Sequence, residues 1–299
     1  MTQPRRILPG STVLITRRTV RRTHLLRPDP EVSQLYLFLL AVLARHYGID
    51  VHAVVLMSTH EHLIVTDTRG CLPDFLRDLH RLFALGVKVL RKWEGPIWDH
   101  ERTSIVELLT PEALIEKLAY VMANPVAAGL VRCAQEWPGI QTLPEDLGHK
   151  NFTVARPSAY LDPNNPRWPE QATLHLTVPE LPGYEAAQIQ ELVRRELVEL
   201  ERTAWANVQH AGRKFVGATR VRKASPYDRA KSWEPIRGRN PQFAVGKGQP
   251  EAFSAAVSKL RAFRRAYRDA LDKWCSGLRA TCFPHGTWFM RVMHAAQIA

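Results

Sequence analysis

The chain has 299 residues, 45% of them hydrophobic and 8% aromatic, enough for a sizeable core in one large domain or two of ordinary size. Lys and Arg number 41 against 29 Asp and Glu, and the resulting net charge of +12 favours an anionic polymer or an acidic membrane surface as partner. The longest apolar run, Leu35 to Ala44, is too short for a bilayer, the start Met-Thr-Gln-Pro-Arg-Arg lacks a secretory apolar segment, and the four cysteines show no CxxC spacing, which leaves zinc ribbon and redox motif unsupported and makes free thiols in a soluble cytoplasmic protein the expectation.

Ser11 to Thr16 reads as a first strand, and Arg17, Arg18, Arg21 and Arg22 leave it at once. A charge run is ordinarily a solvated face; four arginines at a strand exit also make a phosphate platform. Asp29 and Pro30 are cap and first-turn chemistry for a helix from Val32 to Tyr47, ended by Gly48. Val51 to Leu56 and Leu63 to Val65 are β-branched and apolar, and between them stands Met57-Ser-Thr-His60-Glu61-His62. In a strand His60, His62 and Ile64 share one face and Glu61, Leu63 and Val65 the other, so the two imidazoles can share a metal ion or a phosphate. The plainer alternative is a pair of partly exposed polar residues at a strand end. A second long helix spans Leu72 to Trp93, with Arg77, Arg81, Lys88 and Arg91 off its apolar stripe and available to a nucleic-acid backbone. Ser104 to Leu109 is expected to be a strand.

Thr110-Pro111-Glu112 starts the next helix, which the proline at 125 is expected to end near Asn124. On a helical wheel Leu114, Ile115, Leu118, Val121 and Met122 fall in one apolar arc. Tyr120 and Asn124 stack one turn apart on the opposite side, with Ala113, Glu116 and Lys117. Laying this helix across the histidine strand would give a divalent cation two imidazoles and an amide oxygen, with positions open for phosphate oxygens. That donor set suits Mn²⁺ or Mg²⁺, and two histidines would also take zinc. The phenol would stand beside it as a nucleophile, weak at neutral pH unless a metal, Lys117 or a base assists it.

Met-Ser-Thr-His60-Glu-His62-Leu-Ile-Val resembles the histidine motif of the single-tyrosine HUH transposases. Tyr120-Val-Met-Ala-Asn124-Pro125-Val-Ala-Ala-Gly-Leu-Val131 resembles the tyrosine helix of their REP-associated branch, Tyr-x-x-x-Asn-Pro-Val followed by Gly-Leu-Val. The likeness runs from about Pro9 to Trp137. It implies an α+β fold, a small antiparallel sheet flanked by helices, in residues 1–138. It also implies His60, His62 and Asn124 as ligands of Mg²⁺ or Mn²⁺, and Tyr120 as the nucleophile that nicks single-stranded, hairpin-forming DNA. A 5′-phosphotyrosine and a free 3′-hydroxyl would result. Glu61 departs from the family, where an apolar residue is usual; strand alternation turns it away from the pair. Dimers are common in the family, and a homodimer is left open here.

Residues 139–182, rich in proline, read as a linker lying over the first domain, with a strand at Ala172 to Val178. Residues 183–299 read as a mostly helical, basic accessory domain that helps choose the DNA target. Its helices are expected at Tyr184 to Val208 and Pro250 to Cys275, with a closing hairpin of Leu278 to Phe283 and Thr287 to Val292. Arg213, Lys214, Arg220, Arg222 and Lys223 open a basic tract that continues to Arg237 and Arg239, interleaved with Phe215, Tyr227 and Trp233. Charge for phosphates and flat rings for unpaired bases is what single-strand or hairpin DNA needs; the plainer reading is a flexible basic loop. Arg17, Arg18, Arg21, Arg22, Arg77, Arg81 and Lys117 complete the expected DNA-contacting set. The leading expectation is a metal-dependent DNA strand transferase in the cytoplasm, associated with the nucleoid and not with a membrane. The alternative is a DNA-binding host regulator that keeps the fold without transposing. A two-histidine phosphoesterase would want a second His-x-Thr/Ser repeat, and none stands in a comparable strand.

Overall fold

The computed structural model describes residues 4–101, 103–232 and 240–299. Strand β1 (Ser11–Arg18) leads through a short 3₁₀ turn to helix α1 (Pro30–Tyr47). The side chain of Asp29 accepts from the Val32 amide at 3.1 Å, Pro30 fills the first turn, and Gly48 closes the helix at φ 68. Strands β2 (Ile49–Met57) and β3 (His60–Asp67) form a hairpin across Ser58-Thr59. Helix α2 (Leu72–Arg91), strand β4 (Ser104–Leu108) and helix α3 (Pro111–Ala127) follow.

Among the described residues five strands make the main sheet, in the order β2-β3-β1-β4-β7, all antiparallel except the last pair, in which β7 (Phe243–Ala244) runs parallel to β4. Alternation sends Val13, Ile15, Val54, Leu56, Leu63 and Val65 to one face, beneath α1 and α2. Leu14, Ala53, Val55, Met57 and Ile64 go to the other, beneath α3 and α4 (Ala186–His210). The architecture is thus helices, sheet, helices, the α+β class expected. No helix among the described residues is long and apolar enough to cross a membrane.

Three elements differ from the sequence reading. Helix α3 does not stop at Asn124 but runs through Pro125 to Ala127. The local bias of a residue before proline is outweighed by burial of Pro125 and Val126 and by a Schellman closure. Leu130 N donates to Pro125 O at 3.0 Å and Gly129 N to Val126 O at 2.8 Å, with Gly129 at φ 71. The Asn-Pro-Val-Ala-Ala-Gly-Leu string is therefore a helix end. The closing hairpin is absent: after the parallel strand β8 (Cys282–Phe283), residues Trp288–His294 are helix α7, which carries the chain across to β9 (Gln297–Ile298). Good helix formers such as Met290, Arg291 and Met293 favour that crossover, which a parallel pair requires.

The tract read as a linker is packed. Its strands β5 (Asn151–Ala155) and β6 (Gln171–His175) pair with each other and cover α1, and Leu161, Trp168, Leu174 and Leu176 join the α1/α2 core. The amides of Leu56, Thr142 and Thr177 bond across to Ile140, Val54 and Val51 at 2.9–3.1 Å, covering the open edge of β2. Helix α5 (Ala218–Lys223) and the long α6 (Pro250–Cys275) lie in the C-terminal half. Cys71, Cys133, Cys275 and Cys282 are free thiols.

His52 sits at the bulge of β2, buried, with its ring between Thr66 Oγ1 (2.8 Å) and Thr177 O (3.1 Å). Burial pushes its pKa down to about 4, against about 6.5 in an unfolded chain. Above pH 6.5 neither state carries the proton and His52 adds no pH dependence. As pH falls from 6.5 to 4 the unfolded chain takes up a proton that the folded one does not, and about 3 kcal/mol of stability is lost by the bottom of that window. Urea unfolding over that range should show the fall, and His52→Asn should flatten it.

Candidate active site

The hairpin β2–β3 and the register with β1 set up the site. Thr16 lies opposite His62 and Arg18 opposite His60, so all four side chains share the α3 face. The two imidazole centroids are 4.8 Å apart and perpendicular. Nδ1 of His62 is 2.8 Å from Thr16 Oγ1, and Nδ1 of His60 is 2.9 Å from Thr59 Oγ1. Both Nε2 atoms meet the same amide: His60 Nε2 donates to Asn124 Oδ1 at 3.1 Å, and Asn124 Nδ2 donates to His62 Nε2 at 3.1 Å. Asn124 is only 8% exposed, held over the rings because α3 packs its Leu118, Val121 and Met122 onto the sheet. Burial, then the proximity of His60 and Arg18, hold His62 well below its ordinary pKa, so it is neutral.

That arrangement fits a divalent cation. Two nitrogens and one neutral oxygen converge; with a cation in place of the His60 Nε2–Asn124 hydrogen bond, each threonine hydroxyl would accept from an Nδ1–H, the tautomer that leaves Nε2 as a lone-pair donor. Among the described residues no group of three His, Cys, Asp or Glu offers a competing metal site. Tyr120 stands one turn before Asn124, 41% exposed, its ring edge-on to His62 at 5.4 Å and under the Lys117 ammonium at 5.6 Å. The phenol, His60 and Asn124 open on a cavity of about 570 Å³ that is also lined by Arg18, Arg22, Arg213 and Arg220.

Several residues of the expected DNA-contacting set lie elsewhere. Arg17 is on the opposite sheet face, 2.5 Å from Thr103 Oγ1 and over the Trp98 ring, in the same surface groove as Arg77 and Arg81. The backbone amide of Arg21 points to Asp99, and Lys214, Arg222 and Lys223 are exposed outside the cavity. Phe215 packs against Trp205 and the α3/α4 core, while Tyr227 stacks on Trp93. Trp233, Arg237 and Arg239 lie outside the described residues.

Sequence reasoning passed over Thr16 and Thr59, which orient the two rings. Thr59 adjoins the motif; Thr16 becomes visible only through the β1–β3 register. Glu61 points away as alternation requires, is 0% exposed, and pairs with His80 of α2. Its charge raises the pKa of the buried Tyr36 phenol further, after burial itself.

Fold and site together define an α+β protein whose sheet presents His60, and whose crossing helix presents an amide and a phenol, to one arginine-lined cavity, with His62 buried against the same amide. No protein-family model and no curated protein matches the chain. Among solved structures it is similar to a REP-associated tyrosine transposase bound to a REP hairpin, at 22% identity and a TM-score of 0.42 over 49% of this chain and 85% of that one. A candidate transposase from Deinococcus radiodurans R1 is similar at 19% identity and a TM-score of 0.29, over 40% and 95% of the respective chains.

Proposed function

We propose that the chain is a metal-dependent, single-tyrosine DNA strand transferase that nicks and rejoins single-stranded, hairpin-forming DNA. The observation that carries this reading is that Tyr120, His60 and Asn124 meet at one cavity lined by arginines, with the Asn124 amide bonded to the Nε2 atoms of both His60 and the buried His62 beside it. His60, His62 and Asn124 would hold Mg²⁺ or Mn²⁺, which when bound neutralises charge on the phosphate oxygens.

Tyr120 loses its phenolic proton and its oxygen attacks the scissile phosphorus. The bond from phosphorus to the 3′-oxygen breaks, the upstream fragment leaves as that oxygen takes up a proton, and the downstream fragment stays esterified to the tyrosine through its 5′-phosphate. Lys117 over the ring contributes positive charge beside the group that becomes anionic. Because the new ester replaces one phosphodiester bond with another, a second 3′-hydroxyl can reverse the step without a nucleotide cofactor.

The test is incubation with a hairpin oligonucleotide carrying labelled single-stranded flanks. With Mn²⁺ a labelled adduct should survive a denaturing gel, with release of a strand ending in a 3′-hydroxyl. Tight hairpin binding with no adduct in Mg²⁺, Mn²⁺ or Zn²⁺ would overturn the enzymatic reading and leave a DNA-binding regulator.

A further inference from the structure

The cavity around Tyr120 is walled by two distant parts of the chain. On one side stand Arg18 at the end of β1 and Arg22 just beyond it; on the other stand Arg213 and Arg220 from the C-terminal half. The second wall is stitched to the tyrosine helix itself. Val216 N donates to Gly129 O at 3.0 Å and Gly217 N to Leu130 O at 2.8 Å, on the two residues that close α3. Val221 of α5 is buried in the α3/α4 core, which sets Arg220 on the cavity side. The stretch that follows returns to the first wall: Arg27 Nη1 donates to Ala224 O at 3.0 Å, Ala230 N to Arg22 O at 3.0 Å, and Arg22 Nη1 to Ser232 O at 2.6 Å.

Charge says what this enclosure is for. The lining holds four arginines and, among the described residues, no Asp or Glu. Among those residues neither Arg213 nor Arg220 forms an ion pair, although the chain carries 29 acids that could have been placed there. Bringing Arg213 and Arg220 to a walled cavity without an acidic neighbour among the described residues suits an anion, and the walls focus the field on whichever one enters.

We infer that Arg213 and Arg220 act at the reacting phosphate and its immediate neighbours, as catalytic residues for the strand transfer proposed above, on which this inference rests. They are not contacts of a separate target-choosing domain. Charge that builds on the non-bridging oxygens as Tyr120 attacks is met by two guanidinium groups on the cavity wall, whose planar forks match two phosphate oxygens at once. No proton or bond passes through them. The C-terminal half is then part of the reaction centre.

The experiment is single-turnover adduct formation by the full chain, at protein concentrations that saturate the labelled hairpin oligonucleotide, with Mn²⁺. Arg213→Gln/Arg220→Gln should cut the saturated rate by about a hundredfold, with a much smaller change in Kd, at an unchanged melting temperature. Arg213→Lys/Arg220→Lys should recover part of the rate. A variant whose saturated rate is wild-type while Kd rises overturns the inference and leaves the proposed function standing. If the wild-type chain gives no adduct, the proposed function falls. The inference is then judged by crosslinking Tyr120→Phe to the same oligonucleotide bearing a photoreactive base. Crosslinks to residues 213–224 and to residues 58–60 from one nucleotide support a shared phosphate cradle. Crosslinks to 213–224 from the hairpin stem alone overturn it.

Discussion

Tyr120→Phe should abolish covalent capture of the labelled strand while leaving hairpin affinity within about twofold of wild type. Phenylalanine keeps the ring that meets His62 edge-on at 5.4 Å, so the wall of the cavity is preserved and only the phenolic oxygen is lost. Ser58, Thr59 and Ser232 also line the cavity, and Thr59 Oγ1 is bonded to an imidazole. An adduct that persists in the phenylalanine variant would therefore transfer the nucleophile's role to one of these hydroxyls. Asn124→Leu should be nearly as severe, lowering the saturated rate on the order of a hundredfold or more. It removes the one side chain that both Nε2 atoms share, and Mn²⁺ affinity measured by calorimetry should fall with it. Asn124→Asp, which keeps an oxygen there and adds a negative charge, should bind Mn²⁺ at least as well as wild type.

Trp168→Ala should cost about 3–5 kcal/mol of stability. The residue lies in the proline-rich tract yet is buried against Phe38 at 6.4 Å between ring centroids, with the Arg167 guanidinium over its outer side at 5.0 Å. Its carbonyl accepts from Arg156 Nη1 at 2.7 Å. A cavity opened at this point lies inside the α1/α2 core, and surrounding backbone tied by the β5–β6 pair has little freedom to collapse into it. Urea unfolding of the full chain checks this. A loss below about 1 kcal/mol would mean that the tract is merely draped over the first half.

What could be read in the sequence was what local chemistry decides. Asp29 and Gly48 bracket α1, Thr110 caps α3 through a 3.2 Å bond to the Ala113 amide, and Pro250–Cys275 is helical over the expected residues. Strand alternation correctly turned His60 and His62 to one face and Glu61 to the other, because a period of two allows no other outcome once β3 pairs on both sides. The wheel separated Tyr120 and Asn124 from the apolar arc for the same kind of reason. Long-range pairing was not legible. Nothing local in Asn151–Ala155, with only Phe152 and Val154 alternating, says that it pairs with Gln171–His175. A strand of two residues, Phe243–Ala244, exists only because β4 is there to accept it. The basic residues divided in the same way. Their number was plain, but Arg17 and Arg18 are neighbours in sequence and lie on opposite sides of the sheet. Arg18 and Arg220 share one cavity from opposite ends of the chain.

The stitching of residues 213–232 onto both Arg22 and the end of α3 has a bearing on biosynthesis. Translation delivers the histidine hairpin and the tyrosine helix early, and the polypeptide must lengthen well past them before the opposing guanidinium groups leave the ribosome. A nascent or prematurely terminated product would hold Tyr120, His60, His62 and Asn124 without Arg213 and Arg220 across from them.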